Sequence, residues 1–119
     1  IQQYPQSVEP FYYGMLLSFR TVTKSGYHTF RKQAAENGMP PYVLGLLDLS
    51  FSLFSGLESE SFARLEDMKR KYPSSAYYLD LLRYLAHDIY SGEKIRANKA
   101  KKALLDSVDE YVRQIMKCE

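Results

Sequence analysis

Residues 41–56 read PYVLGLLDLSFSLFSG, a stretch whose apolar side chains would lie on every side of a helix. A helix that is apolar all round has to be covered all round, so we predict that this segment is the central helix of the fold. Asp48 is its only charged residue. Because a buried carboxylate is costly unless it is paired, we expect Asp48 to reach a cation, either Arg20 or Arg83, or the opening of a groove.

Most of the remaining chain has apolar residues three or four positions apart, the spacing of one helical face. No alternating pattern of useful length indicates a strand, so the predicted fold class is all-α. The residues predicted to face inward are Tyr12, Met15, Leu16 and Phe19; Phe30 and Ala34; Phe62, Leu65, Met68 or Lys69, and Tyr72; Tyr78, Leu81, Leu82, Leu85, Ala86 and Ile89; and Leu104, Leu105, Val108, Tyr111, Val112 and Ile115.

Helix breakers recur along the chain at roughly regular intervals. Ser-Gly occurs at residues 25–26, 55–56 and 91–92, each time between two predicted helices, and a further break, GMPP, lies at 38–41. Tyr-Pro occurs at residues 4–5 and 72–73, an interval of 68 residues, or twice 34. We therefore predict one domain, residues 1–119, built from three antiparallel helix pairs at 4–39, 40–72 and 73–119.

A helix pair of about 34 residues with proline at its boundary resembles the tetratricopeptide repeat. Ser61 and Leu65, and likewise Ala100 and Leu104, match the small and the large apolar residue of the family's second helix. The resemblance implies a short α-solenoid, with residues 1–5 as the tail of an earlier repeat in a longer chain. The Trp-x2-Leu-Gly-x2-Tyr pattern of the family's first helix is not recovered, and a compact bundle of five or six helices is the alternative.

The same resemblance implies a groove lined by the first helix of each pair, which would hold a protein or peptide segment. Polar residues on these helices fall on shared faces, and Tyr13 and Tyr84 are the tyrosines that best suit an interface. A solvated side of an amphipathic helix is the other interpretation. The candidate partner-binding residues are Tyr13, Arg20, Lys24, Asp48, Ser52, Arg83, Tyr84 and His87.

Two other classes of function stay open as alternatives. The basic run at residues 94–102 could attract the phosphates of nucleic acid, although its five cations spread around a helix and acidic residues follow it. This distribution favours a solvated surface, so nucleic acid is the lesser prediction. The second alternative is a helical bundle that holds an apolar small molecule in a closed cavity.

The sequence offers little for catalysis. His28 and His87 lie in different predicted pairs, and there is no glycine-rich phosphate loop or HExxH motif. Cys118 is the single cysteine, so it supports neither an internal disulfide nor a cysteine-based zinc site. We predict a protein without enzymatic activity, cofactor or metal.

Charge and hydropathy say little about the partner or the compartment. The net charge is +2, and no apolar run approaches the ~20 residues of a membrane-spanning helix. The chain shows no signal-peptide pattern, and its low cysteine content favours an intracellular, cytoplasmic location. The sequence leaves the oligomeric state open.

The clearest apolar stripe, at residues 78–89, generates a stability prediction. We expect Leu82→Ala or Leu85→Ala to lower the free energy of unfolding by about 2 to 5 kcal/mol, through lost burial and the cavity that remains. Denaturant titration would measure the change. A loss below roughly 1 kcal/mol would mean that the substituted residue is exposed.

Overall fold

Six α-helices and one short 3-10 helix make up the described part of the chain. The computed structural model describes the backbone of residues 4–21 and 23–117 and the side chains of residues 9–21 and 23–115. The helices are α1 (Tyr4–Thr21), α2 (Lys24–Glu36), α3 (Pro41–Phe54), α4 (Glu58–Lys71), α5 (Ala76–Ile89) and α6 (Lys94–Lys117), and the 3-10 turn is Pro73–Ser75. No strand occurs in these ranges. The all-α prediction is confirmed.

Helix α3 is the centre of the core. Nine of its 14 residues are buried, and the helix packs against α1, α2, α4 and α6. Four helices are needed because one or two neighbours cannot cover a helix that is apolar on every side. The prediction that residues 41–56 form the central helix is confirmed.

Helix α6 closes the structure by returning to the first helix. The two helices of each predicted pair contact each other, but α6 also lies against α3 and α1. In an open stack of repeats each unit contacts only its neighbours. The radius of gyration is 13.9 Å, close to the ~13.5 Å of a compact domain of this length. The three helix pairs therefore form a compact bundle, the alternative that the sequence left open.

A polar network ties α6 to α1. The Tyr12 hydroxyl donates a hydrogen bond of 2.7 Å to Asp109, which also accepts one of 3.0 Å from Arg113 Nε. Arg113 Nη2 donates to the Tyr13 hydroxyl at 2.8 Å, and its guanidinium lies 5.1 Å from the Tyr13 ring centroid. Burial and the Asp109 carboxylate raise the pKa of Tyr12, so its hydroxyl stays protonated as the donor.

The turns follow the predicted breakers with one exception. Gly38, Gly56 and Gly92 have φ values of 99°, 77° and 89°, a conformation that glycine adopts without the steric cost of a Cβ atom. The Ser-Gly turns at residues 55–56 and 91–92 are thereby confirmed. The predicted break at residues 25–26 is wrong, because α2 already begins at Lys24.

Glycine at position 26 serves close packing of α1 and α2 instead of a turn. A Cβ atom there would lie 3.3 Å from Ser18 Oγ on α1. Gly14 on α1 also allows the two helices to pack closely, because a Cβ atom at that position would lie 2.5 Å from the Phe30 ring on α2. The sequence does not show whether a glycine forms a turn or allows two helices to pack closely, because the residue is the same in both cases.

Most of the predicted inward-facing residues are buried or half-buried, and Met68, not Lys69, is the buried choice on α4. The prediction for α5 is wrong at one position: Leu81 is 45% exposed, whereas Leu79 is fully buried. The buried face of α5 runs through Leu79, Leu82, Ala86 and Ile89. Because α5 packs on both α4 and α6, its buried side faces the space between those two helices.

This rotation of α5 is testable with two leucines that lie two positions apart. We expect Leu79→Ala to lower the free energy of unfolding by about 2 to 5 kcal/mol, because its side chain is fully buried. Leu81→Ala should cost less than about 1 kcal/mol. Urea titrations with a shared m value would compare them. A larger loss for Leu81→Ala than for Leu79→Ala would show that α5 is oriented as the sequence predicts.

Candidate functional site

A groove runs over α3 between α2 and α4. It consists of two cavities of about 590 and 230 Å³, and Arg31, Asp48 and Arg64 line both of them. We call this feature the α2/α4 groove. The other residues that line it are Lys24, Tyr27, His28, Phe51, Ser52, Ser55, Leu57 and Glu60 in the larger cavity, and Pro41, Gly45, Asp67, Met68, Lys71 and Tyr72 in the smaller one.

Asp48 lies where the two cavities meet and is held by two residues of α2. It accepts a hydrogen bond of 2.7 Å from the Tyr27 hydroxyl. Arg31 donates from Nε and from Nη2, each at 2.8 Å, to different carboxylate oxygens. Such a bidentate contact fixes the plane of the Arg31 guanidinium and neutralises the charge of Asp48. Tyr27 and Arg31 are four residues apart on one helix, so they face α3 together.

The predicted ion-pair partners of Asp48 are wrong. Arg20 is exposed on α1, and Arg83 pairs with Glu66 at 3.0 Å. The carboxylate finds its cation on α2, the helix that packs beside it. Asp48 also lines both cavities of the α2/α4 groove, and its side chain is 15% exposed.

Aromatic side chains form the apolar wall of the larger cavity. Tyr27 stacks on Phe51 with ring centroids 4.4 Å apart and an angle of 2° between the planes. Behind them, the ring of Phe19 on α1 packs against both, with centroid distances of 5.8 Å to Tyr27 and 5.9 Å to Phe51. Burial, followed by the nearby Asp48 charge, raises the pKa of Tyr27, so the hydroxyl remains a donor to that carboxylate.

A second carboxylate organises the α4 side of the groove. Glu60 accepts hydrogen bonds of 3.0 Å from both Ser52 Oγ and Arg64 Nε. The hydrogen bonds from Arg64 and Ser52 lower the pKa of Glu60, and the positive charge of Lys24 acts in the same direction. Lys24 lines the same cavity as this carboxylate. Three cations and two carboxylates converge on the larger cavity.

The structure gathers only some of the predicted binding residues. Lys24, Asp48 and Ser52 lie together in the groove. The others lie elsewhere: Tyr13 is bound to Glu9 and Arg113, Arg20 is exposed on α1, Arg83 is paired with Glu66, Tyr84 is exposed on α5, and His87 lies beside the Phe62 ring. Of the eight candidate residues, Lys24, Asp48 and Ser52 line the α2/α4 groove and the other five do not.

Sequence reasoning missed the groove residues that lie on α2 and α4, namely Tyr27, His28, Arg31, Glu60 and Arg64. The sequence analysis placed the binding groove on the first helix of each pair, and α2 and α4 are the second helices. Two signals were available: an aromatic and an arginine four positions apart on α2, and a Glu–Arg pair with the same spacing on α4. Neither spacing says which third helix the pair would face.

The basic run is dispersed in the structure. Arg96 pairs with Glu93 at 3.7 Å, Lys102 pairs with Asp106 at 3.2 Å, and Lys101 is half-buried.

Among the described residues, no cluster of three or more histidine, cysteine, aspartate or glutamate side chains could hold a metal ion. Cys118 lies outside the described residues. None of the helices in the described ranges has the length and apolar character needed to cross a membrane.

Nothing among the protein-family models, the curated proteins or the solved structures with which we compared the chain matches it.

The contact between Asp48 and α2 generates a stability prediction. We expect Asp48→Ala to lower the free energy of unfolding by about 2 to 3 kcal/mol, because the partly buried Tyr27 hydroxyl and Arg31 guanidinium would lose their shared acceptor. Asp80→Ala is the matched control. Its carboxylate pairs with Lys69 at 2.8 Å but is 57% exposed, so its loss should cost less than about 1 kcal/mol.

Denaturant titrations of both variants would measure these losses. A loss for Asp48→Ala no larger than that for Asp80→Ala would show that the carboxylate does not hold α2 against α3.

Proposed function

We propose that this chain is a non-catalytic binding module that takes a peptide segment of a partner protein in the α2/α4 groove. The observation that supports this proposal is the continuity of the groove. Its two cavities share three lining residues and together follow α3 from Pro41 to Ser55.

The length of the groove suits a peptide segment. At a rise of 1.5 Å per residue, the stretch of α3 from Pro41 to Ser55 extends about 20 Å. An extended peptide advances about 3.3 Å per residue, so about six residues would cover that distance. A compact small molecule would use one cavity and leave the other open.

The composition of the groove also suits a protein partner. Leu57, which is 43% exposed, offers apolar contact area, and the largely buried Phe51 ring lies beside it in the lining. Lys24, Asp48, Glu60 and Arg64 border that area with charged groups. Interfaces commonly combine an apolar centre containing aromatic residues with a polar rim.

A selection from a phage-displayed library of random peptides 12 residues long would test the proposal. We expect the folded chain to enrich peptides that bind again as synthetic, fluorescein-labelled molecules. His28→Trp fills the groove without changing the formal charge, because His28 is an exposed residue of its lining. It should weaken binding about tenfold or more, which corresponds to ~1.4 kcal/mol.

His87→Trp is the matched control, since His87 is exposed on α5 and does not line the groove. Its affinity should stay within about twofold of the parent, well below the tenfold that ~1.4 kcal/mol produces. If His87→Trp weakens binding and His28→Trp does not, the site lies on the first-helix faces. If no peptide is enriched, the chain does not bind peptides in this way.

A further inference from the structure

Two arginines in the α2/α4 groove have donors that the described residues leave unused. Arg31 binds Asp48 through Nε and Nη2, and Arg64 binds Glu60 through Nε. An arginine carries five N–H donors in a planar fork. Nη1 of Arg31 and both terminal nitrogens of Arg64 therefore have no acceptor among the described residues. Asp48 fixes the Arg31 guanidinium through two contacts, whereas Arg64 makes a single contact with the exposed Glu60 carboxylate.

The charge balance of the larger cavity leaves one cation in excess. Lys24, Arg31 and Arg64 line it together with Asp48 and Glu60. Both carboxylates already accept hydrogen bonds from arginines, whereas Lys24 forms no ion pair within the described part of the chain. A basic segment would have to compete with Arg31 and Arg64 for the same oxygens. An acidic segment would find donors that are already oriented.

A hydroxyl group adds an independent observation. Ser55 Oγ is buried and has no hydrogen-bond partner among the described residues, and Ser55 lines the same cavity as Lys24. Buried polar atoms without partners are uncommon in folded proteins and call for an explanation. The Ser55 side chain would have to turn towards the cavity before a ligand oxygen could give that hydroxyl a partner.

We propose that the segment bound in the α2/α4 groove carries an anionic side chain, held by Lys24, Arg31 and Arg64. A neighbouring aromatic or aliphatic side chain of the segment packs against Leu57, which is 43% exposed. The anion is either a carboxylate or a phosphorylated residue, because both accept several N–H donors at once. This inference rests on the proposed function, since it specifies the ligand of the same groove.

Pairs of synthetic peptides test the requirement for negative charge. The peptides enriched in the selection described above are labelled with fluorescein, and each Glu or Asp is replaced in turn by Gln or Asn. We expect one replacement to weaken binding about tenfold or more, the usual range for a hydrogen bond to a charged group. Raising the salt concentration should weaken the acidic peptide more than its amide counterpart.

Protein variants locate the charge in the groove. Arg64→Gln and Lys24→Gln should weaken the acidic peptide and leave its amide counterpart nearly unchanged. Lys102→Gln is the matched control, because Lys102 lies on α6 and its side chain is 80% exposed; both peptides should bind it as they bind the parent. Circular dichroism establishes that each variant is folded, and Lys24→Gln serves alone if Arg64→Gln is not.

A third peptide distinguishes the two sources of the anion. It carries phosphoserine at the acidic position. Tighter binding than that of the Glu peptide would identify a phosphorylated segment. Equal or weaker binding would identify a segment with an acidic side chain. Peptides that lose affinity in His28→Trp but bind equally well with Gln in place of Glu would overturn the inference and leave the proposed function standing. Failure to enrich any peptide would overturn both.

Discussion

The all-round apolar surface of α3 is the constraint on which the structure depends. Four helices, α1, α2, α4 and α6, pack on it, because burial of this surface is the main favourable contribution that the sequence offers. Because α6 covers part of α3, it also contacts α1, and the three helix pairs form a closed bundle. The cover is incomplete between α2 and α4, and Asp48, the only charged residue of α3, lies in that opening.

The same polar arrangement occurs at two places with different consequences. In each, an aspartate accepts a 2.7 Å hydrogen bond from a tyrosine and a further bond from an arginine Nε: Tyr27–Asp48–Arg31 in the groove and Tyr12–Asp109–Arg113 between α1 and α6. A carboxylate near the core needs both partners to offset its desolvation. Between α1 and α6 this arrangement joins distant parts of the chain. In the groove it also orients a guanidinium towards open space.

Local patterns explain why much of the fold was predictable. Helix positions follow from a spacing of three to four residues, and breaks at residues 38, 56 and 92 follow from glycines that adopt positive φ. Apart from the break at residues 25–26, the errors share one cause. Leu81 in place of Leu79, and Arg20 or Arg83 in place of Arg31, are errors in how a helix is rotated or which helix is its neighbour. A single helix contains no information about the direction from which its neighbours approach.

Six helices, the central place of residues 41–56 and the need of Asp48 for a partner follow from the local pattern of residues, because periodicity and the cost of burying charge are local properties. Only the tertiary structure decided that α6 closes on α1 and that Lys24, Arg31, Asp48, Glu60 and Arg64 share one groove. These residues span 41 positions of the chain. They meet because α2 and α4 pack on opposite flanks of α3, a choice made by side-chain packing among all the helices together.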